Sequence, residues 1–419
     1  VHELHDVEVI LVGDELLRGE RADQHLVFLG RTLRAAGLRV ARAHTVGDRV
    51  GEIAALTRER MSRARVIVVT GGLGPTEDDI TRVGVAEALG APLEFHEPTW
   101  RHIVEFFAAR GRAPSEANRQ QAYFPRGADV LGNARGTAPG FHAHADGAHV
   151  IVLPGPPAEL QAMVVDHVLP RLKSVFARGP LRVDKFRTIG VGESQLVEML
   201  GDAATGLASF TVSWLPTVSG VDIVLTQRPE ANAPRMDEES DRLHARLTDA
   251  LGTRYFERGE RSIAQVAGDA LVARGESVAA AESVTGGSVA RLLTEHSGAS
   301  AWFLASTVAY ANAAKVELLG VRAETIDQHG AVSEEVCGEM AHGIRRRAKS
   351  TYGLATTGIA GPTGATPQKP VGLTFIGVAW DGGVQVRRVI YPGERTAVRE
   401  RAAHGVLWLL HDRLSRHPA

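Results

Sequence analysis

The chain reads as an α/β protein built from more than one domain. Three observations predict this. Short apolar strands alternate with amphipathic helices in the first and last thirds, the pattern of a parallel sheet covered by helices on both faces. Glycine- or proline-bearing turns follow several of those strands. The length, 419 residues, exceeds what one hydrophobic core usually serves.

In the first third, Val7 to Val12 is a short apolar run, and Ala22 to Ala36 has helical spacing through Leu26, Leu29 and Leu33 before Gly37. Leu38 to Ala43 reads as extended, Glu52 to Met61 as helical and Arg65 to Thr70 as a buried strand. Phe141 to Ala145 and Ala148 to Leu153 flank Asp146-Gly147, a two-residue hairpin signal. A helix is expected from about Ala158 to Val175. After Gly179-Pro180 the texture changes to a small α+β unit. Val183 to Ile189 and Val221 to Thr226 read as its strands, Ser194 to Leu200 and Met236 to Leu251 as its helices, and Arg228 to Pro234 as a polar loop. Near Arg261 the α/β alternation returns. Three domains are expected, over residues 1–176, 177–258 and 259–419.

Apolar residues make up 44% of the chain and charged residues 23%, which fits a globular protein rather than a disordered one. The formal net charge is -2 with both signs scattered, so the basic face of a nucleic-acid binder is not expected. Cys337 stands alone, which excludes an internal disulfide and a cysteine-based zinc site. Its position beside Val336 and Met340 suits a small buried residue. Val1 to Asp6 shows neither a basic nor an apolar leader pattern, and runs such as Val66 to Val69 are far shorter than a membrane helix needs. A cytoplasmic protein without membrane contact is expected. His142 and His144 lie on one strand face, but the adjoining hairpin turn suggests a solvent-facing rim rather than a metal site.

Two regions carry chemistry. In the first, Thr70-Gly71-Gly72-Leu73-Gly74-Pro75-Thr76-Glu77-Asp78-Asp79-Ile80-Thr81 runs from a buried strand to a helix. Glycines there allow positive φ and close approach to a ligand, and free N–H groups at the helix start suit phosphate. The plain alternative is a strand-to-helix turn capped by Asp. Gly13-Asp14-Glu15-Leu16-Leu17 and Pro154-Gly155-Pro156-Pro157-Ala158-Glu159 also follow strands, so three such turns would share the carboxyl edge of one sheet. Glu15, Asp78, Asp79 and Glu159 accompany them, as expected if a divalent metal bridges carboxylates to phosphates.

In the second, Ala281-Glu282-Ser283-Val284-Thr285-Gly286-Gly287 sits where a strand turns into the helix Ser288 to His296. Ser283 is either a helix cap or a nucleophile whose oxyanion would face the free N–H groups of the helix end. A nucleophile needs a base. The segment Thr307 to Lys315 offers Lys315 and Tyr310, and a desolvated lysine can accept a proton. Thr356-Thr357-Gly358-Ile359-Ala360-Gly361-Pro362 follows a strand and suits a ribose phosphate. Ser333 is expected to cap the following helix with help from Glu335.

These segments, with Asn118-Arg119-Gln120-Gln121-Ala122 and Gly136-Thr137-Ala138-Pro139-Gly140, closely resemble the competence/damage-inducible CinA proteins along nearly the whole chain. The resemblance implies an N-terminal parallel-sheet domain similar to molybdopterin-binding domains, a KH-like α+β linker domain and a C-terminal α/β amidase domain. It further implies two activities. One is hydrolysis of nicotinamide mononucleotide to nicotinic acid mononucleotide and ammonia, through Ser283, Lys315 and Tyr310, with Thr285, Gly286, Gly287, Asn312, Thr357, Gly358 and Gly361 at the substrate and no cofactor. The other is hydrolysis of ADP-ribose with Mg, Mn or Co held by Glu15, Asp78 and Asp79. There Gly13, Gly71, Gly72, Gly74, Thr76, Asn118, Pro154 and Gly155 would bind the substrate. Asp79 is the acid of the glycine-rich motif shared with the molybdopterin-binding domains. A homodimer is implied as well. Departures from the family pattern are Asp14, Ala311, Ala365 and Gln368. The linker lacks the GXXG clamp of a nucleic-acid-binding KH domain. The rival readings are a pterin- or nucleotide-binding domain without turnover, and a competence or DNA-damage accessory protein.

Overall fold

A computed structural model describes residues 5–176, 180–228 and 231–417. Residues 1–4, Gly179 and residues 229–230, which figured in the reading above, lie outside the described residues. The chain divides into two compact units, one ending at Arg182 and one beginning at Val183.

The first unit is a six-stranded sheet in the order β2-β1-β3-β8-β7-β6, beside a ribbon of β4 and β5. Its strands are β1 (His5–Val12), β2 (Val40–Val46), β3 (Ala64–Thr70), β4 (Leu93–Phe95), β5 (Tyr123–Pro125), β6 (Asp129–Leu131), β7 (Gly140–Ala145) and β8 (Ala148–Leu153). β2, β1, β3 and β8 run parallel. β7 and β6 run antiparallel, which refines the expected parallel sheet to a mixed one. The reason is the hairpin: Asp146 and Gly147 adopt φ of 52° and 79°, a two-residue turn that can only return the chain antiparallel.

The continuous apolar runs follow from burial on both faces. Val7, Val9, Leu11, Val66 and Val68 pack into one core, and Ile10, Val12, Ile67 and Val69 into the other. Glu8, fully buried between them, is met by His44 at 3.2 Å and Arg60 at 3.5 Å, as a buried carboxylate requires. The helix expected over 158–175 spans Pro157–Phe176, but Val164–Val168 is a π-helical turn. Pro170 has no N–H for the carbonyl four residues back, so the ladder widens just ahead of it.

The second unit contains two sheets. β9 (Val183–Thr188), β10 (Phe210–Pro216), β11 (Val221–Gln227) and β12 (Tyr255–Arg258) form an antiparallel sheet in the order β10-β11-β9-β12. The helices Glu193–Leu200 and Ala233–Leu251 pack on it through Leu196, Leu200, Leu243 and Leu247. The longer helix starts at Ala233, earlier than expected, because the Asn232 side chain caps the Arg235 N–H at 3.0 Å.

The second sheet has the order β14-β13-β15-β16-β17, from β13 (Val278–Glu282), β14 (Phe303–Val308), β15 (Tyr352–Gly358), β16 (Leu373–Trp380) and β17 (Gly383–Ile390). β14, β13 and β15 are parallel, and the last two strands antiparallel. Val278 and Ala280 face the helices Ile263–Arg274 and Arg395–Arg416, while Ala279 and Ala281 face the helix Glu334–Ala348. Cys337 is fully buried there, and burial pushes its thiol pKa far up, so it is an inert core residue. The expected boundary at 258/259 thus separates two sheets inside one compact unit. Among the described residues no helix is long and apolar enough to cross a membrane.

Candidate active sites

In the first unit the parallel strands β1, β3 and β8 end side by side, and their turns meet. The Gly71 N–H donates to the Leu153 carbonyl at 3.1 Å, and the Gly13 N–H to the Val46 carbonyl at 3.0 Å. Gly71 has φ of 100°, and a Cβ on it would collide with the Val12 carbonyl. Only glycine fits there. The turns enclose a cleft of about 760 Å³ to which Glu15, Gly71, Gly72, Gly74, Asp79, Pro154 and Gly155 contribute. Gln121, from the Asn118–Ala122 segment, also lines it, as does His25, which carried no sequence signal. The His25 ring bridges the Thr70 hydroxyl at 3.0 Å and the Gly155 carbonyl at 2.7 Å, fastening two of the turns.

Other expected residues have different work. Asn118 is buried and forms the capping box of the turn Glu116–Ala122, accepting from the Ser115 N–H at 2.8 Å. The helix that follows the glycine-rich segment, Thr81–Leu89, has no side-chain cap, so the plain reading of that segment as an Asp-capped turn does not hold. Asp79 instead closes its own loop, accepting from the Thr76 N–H at 2.9 Å and its hydroxyl at 2.6 Å. Thr76 also bonds Asp78. Gly13, Thr76, Asp78 and Asn118 therefore shape the cleft's surroundings rather than its lining.

The carboxylates are gathered differently from expectation. Among the described residues no three His, Cys, Asp or Glu side chains converge as a complete metal site. Yet Asp48, at the end of β2, has its carboxyl held above the usual range by burial. The nearby charges of Asp14, Glu15 and Asp78 push the same way, and a hydrogen bond from the Asp14 N–H, at 2.8 Å, works against them. Asp14 itself pairs with Arg18 at 3.0 Å. Such mutually repelling carboxylates beside a cleft of small-molecule size fit an ion of the Mg²⁺ type, which takes one or two carboxylates and completes its shell with water or substrate phosphates. A sequence signal for Asp48 existed: Val46-Gly47-Asp48 repeats Val12-Gly13-Asp14 at the next strand end.

In the second unit β13 and β14 end in register, Glu282 opposite Val308, and the Ala309 N–H donates to the Glu282 carbonyl at 2.8 Å. Ser283 leaves β13 only 8% exposed, and its hydroxyl meets no partner among the described residues. Lys315, in the helix Asn312–Leu319, is 1% exposed. Its Nζ donates to the carbonyls of Ala309 and Tyr310, each at 3.0 Å. No carboxylate faces it, and burial lowers its pKa. Lys315 is thus a buried residue and not a solvated one on the helix surface. Tyr310 lies beyond, 59% exposed, its hydroxyl accepting from Arg395 at 2.8 Å rather than touching Lys315 or Ser283. Asn312, exposed at the start of the same helix, makes no side-chain hydrogen bond among the described residues.

The helix end after Ser283 is not the free anion site the sequence suggested. The fully buried Glu282 carboxylate accepts from the N–H groups of Gly287 (2.8 Å), Val289 (3.0 Å) and Ala290 (2.9 Å), and from the hydroxyls of Thr285 (2.8 Å) and Ser306 (3.0 Å). Gly286 N–H turns back to the Ser283 carbonyl. What remains without a partner among the described residues is the pair of N–H groups directly after the serine, on Val284 and Thr285. The Thr285 hydroxyl is buried against Glu282 and Thr356, and the Thr357 hydroxyl donates to the Ala331 carbonyl at 2.8 Å, so neither side chain is presented to a ligand. Ser333 does cap its helix, through the Val336 N–H, but Glu335 pairs with His329 instead of assisting.

Two arginines missed by the sequence reading complete this edge. Arg399 donates to the Thr285 carbonyl at 3.0 Å, and Arg395 to the Gly361 carbonyl at 2.9 Å. Their spacing, four apart on one helix, was the available signal. Gly358, which ends β15, packs against Thr374, and Lys369 ties the loop beyond it to the carbonyls of His329 and Val332 at 2.8 Å.

Comparison with known proteins agrees with this division. Residues 260–414 match the family described as CinA C-terminal domain, and residues 8–174 the family described as "Probable molybdopterin binding domain". A CinA-like protein of Gemmatimonas aurantiaca is 37% identical over 417 residues, 98% of this chain and 96% of the relative. One from an Anaeromyxobacter species is 38% identical over 413 residues, 96% and 98% respectively. A crystal structure of a Competence-Damaged Protein (CinA) superfamily protein from Klebsiella pneumoniae is 31% identical, covering 38% of this chain and all of that one, with a TM-score of 0.36. With full-length relatives of this identity, the chain belongs to the CinA family.

Proposed function

We propose that the chain is a two-site hydrolase: an amidase acting on nicotinamide mononucleotide at the β13–β14 edge, and a metal-dependent ADP-ribose pyrophosphatase in the first unit's cleft. The observation that carries the first activity is Lys315. A neutral amine has two N–H groups and one lone pair. The carbonyls of Ala309 and Tyr310 take two N–H groups, which leaves the lone pair to accept a proton at the strand edge where Ser283 stands. Ser283 Oγ attacks the carboxamide carbon as its proton passes to Lys315 Nζ. The tetrahedral oxyanion is met by the Val284 and Thr285 N–H groups. When the carbon–nitrogen bond breaks, the Lys315 proton leaves with ammonia, and water then cleaves the acyl-serine by the same proton route in reverse. Arg395 and Arg399 are the chemical match for the nucleotide phosphate.

Beside the cleft, one or two of the carboxylates Glu15, Asp48, Asp78 and Asp14 would hold a divalent ion, the rest of its shell coming from water and the substrate's phosphates. Bound there, such an ion would supply charge neutralisation for the pyrophosphate. The glycine-rich turns leave backbone room for the phosphates, and Asp79 keeps their loop closed. The test measures ammonia release from nicotinamide mononucleotide and AMP release from ADP-ribose on the full chain, with and without chelator. Ammonia release insensitive to chelation and AMP release abolished by it are expected. Failure to release ammonia defeats the first assignment, and metal-free cleavage at full rate defeats the second.

A further inference from the structure

The second unit holds another cleft, between the β9–β12 sheet on one side and β17 with the helix Arg395–Arg416 on the other. Its volume is about 750 Å³, within the range of small-molecule sites. One wall is apolar, built from the buried Ile189, Val221 and Ile376. The rest is cationic: Arg254, Arg387, Arg388 and Arg401 face a single carboxylate, Glu193. Those charges are largely unneutralised. Arg254 and Arg401 donate to backbone carbonyls, of Gly190 at 3.2 Å and Val218 at 2.9 Å, and Arg388 makes no ion pair among the described residues. Only Arg387 approaches an acid, Asp412 at 3.5 Å, which Arg416 already holds at 3.0 Å.

Two of its arginines are also braced from below. The Trp408 ring lies under the guanidiniums of Arg387 and Arg254, at 4.5 and 5.8 Å, and its indole N–H is fixed on the Thr253 carbonyl. Gly190-Val191-Gly192 leads from the cleft into the helix Glu193–Leu200, whose first N–H groups have no side-chain cap. The Tyr391 hydroxyl finds no partner among the described residues, and burial pushes its pKa up to about 12, so it stays a donor. Fixed donors and uncompensated cations against an apolar wall select an anion that carries a less polar body.

We propose that this cleft binds a phosphorylated metabolite of mononucleotide size, its phosphate toward Arg254 and Arg388 and its body against Ile189, Val221 and Ile376. A polymer is not favoured, because the cations that continue along the sheet, Lys185, Arg187 and Arg258, are already paired with Asp222, Glu260 and Asp241, and the linker lacks the GXXG clamp. The test is isothermal titration of the full chain with AMP at low salt, repeated with adenosine, with inorganic pyrophosphate and with a single-stranded oligonucleotide. Arg388→Glu and Val218→Trp alter exposed positions, and circular dichroism checks their folding. Asp79→Ala and Arg395→Ala identify binding at the two candidate active sites. AMP and pyrophosphate should bind, with adenosine at least tenfold weaker. Both cleft variants should weaken, at least tenfold, an AMP binding event that Asp79→Ala and Arg395→Ala retain. The proposal is overturned if neither cleft variant weakens AMP binding, if adenosine binds as well as AMP, if AMP does not bind, or if the oligonucleotide outcompetes AMP at this cleft.

Discussion

At the first unit's cleft, Asp14, Glu15 and Asp78 stand close enough to raise the Asp48 carboxyl, and no cation is built in to answer all of them. At the β13–β14 edge the single carboxylate, Glu282, is buried and met by five donors, while the nearby lysine is left facing only carbonyls. One region holds excess negative charge near solvent; the other keeps its acid satisfied and its base short of a counter-ion. The difference teaches where each chemistry would come from. The cleft needs charge from outside to hold a pyrophosphate, whereas the strand edge tunes a proton acceptor from its own packing.

Substitutions at four positions would break or sharpen that contrast. The largest effect is expected at Lys315. Lys315→Ala should cut deamidation on the order of 10³-fold or more, and Lys315→Arg should fail similarly because a guanidinium stays protonated. ADP-ribose cleavage should be unchanged, as coupled assays on one preparation would show. Because burial lowers the Lys315 pKa and the neutral amine is the active form, deamidation should rise with pH. It should level off below the ordinary lysine value of about 10.4. A profile still climbing there would mean the lysine is not desolvated.

Asp48→Asn comes next, with a loss of about 10- to 100-fold in metal-dependent ADP-ribose cleavage and none in deamidation. Its stability effect has a definite sign. The Asp48 carboxyl is raised, so the folded state holds the proton more tightly than the unfolded one and pays for the charged form above that raised value. The metal-free variant should therefore melt higher than the native chain at neutral pH, and the gap should close as pH falls through the carboxyl range. Equal melting at pH 7 would mean the carboxylates are already balanced.

Glu282→Gln should destabilise the second unit by about 2–3 kcal/mol, since charge-assisted bonds to three N–H groups weaken together. It should also lower kcat more than it raises KM, because Ser283 and the two free N–H groups lose their support. Denaturant melts and steady-state kinetics would separate the two readouts. The smallest effect belongs to Cys337→Ala, about 1 kcal/mol of stability and no change in either activity. A loss of deamidation there would assign the thiol a role that its burial denies.

Much of this was legible in the sequence because local chemistry and tertiary structure agreed. Asp146-Gly147 gave the hairpin, since its positive φ values are those such a turn demands. The glycine-rich turns after β1, β3 and β8 were visible because close backbone approach leaves few other residues possible. β10 and β17 were missed. Phe210-Thr211-Val212-Ser213-Trp214 did carry a usable alternation, cut short by Leu215 and Pro216, whereas Arg387-Arg388 interrupts the alternation of an edge strand whose polar face is exposed. The role of Glu282 was hidden for a different reason. A lone acid at the end of an alanine-rich strand does not announce that five donors will converge on it from two later segments. Nor could spacing show that the Asn118, Thr285 and Thr357 side chains are consumed by the protein itself.

The most direct test of the serine–lysine chemistry is Ser283→Ala, assayed for ammonia release from nicotinamide mononucleotide after its folding is verified. Ser283 has no side-chain partner among the described residues, so the substitution should leave stability close to native while removing the nucleophile. The predicted result is a folded protein with turnover reduced by 10³-fold or more, on the order expected for losing a covalent nucleophile, and with ADP-ribose cleavage intact. Near-normal ammonia release from the folded variant would contradict the covalent mechanism and leave Ser283 a structural residue beside a site that activates water directly.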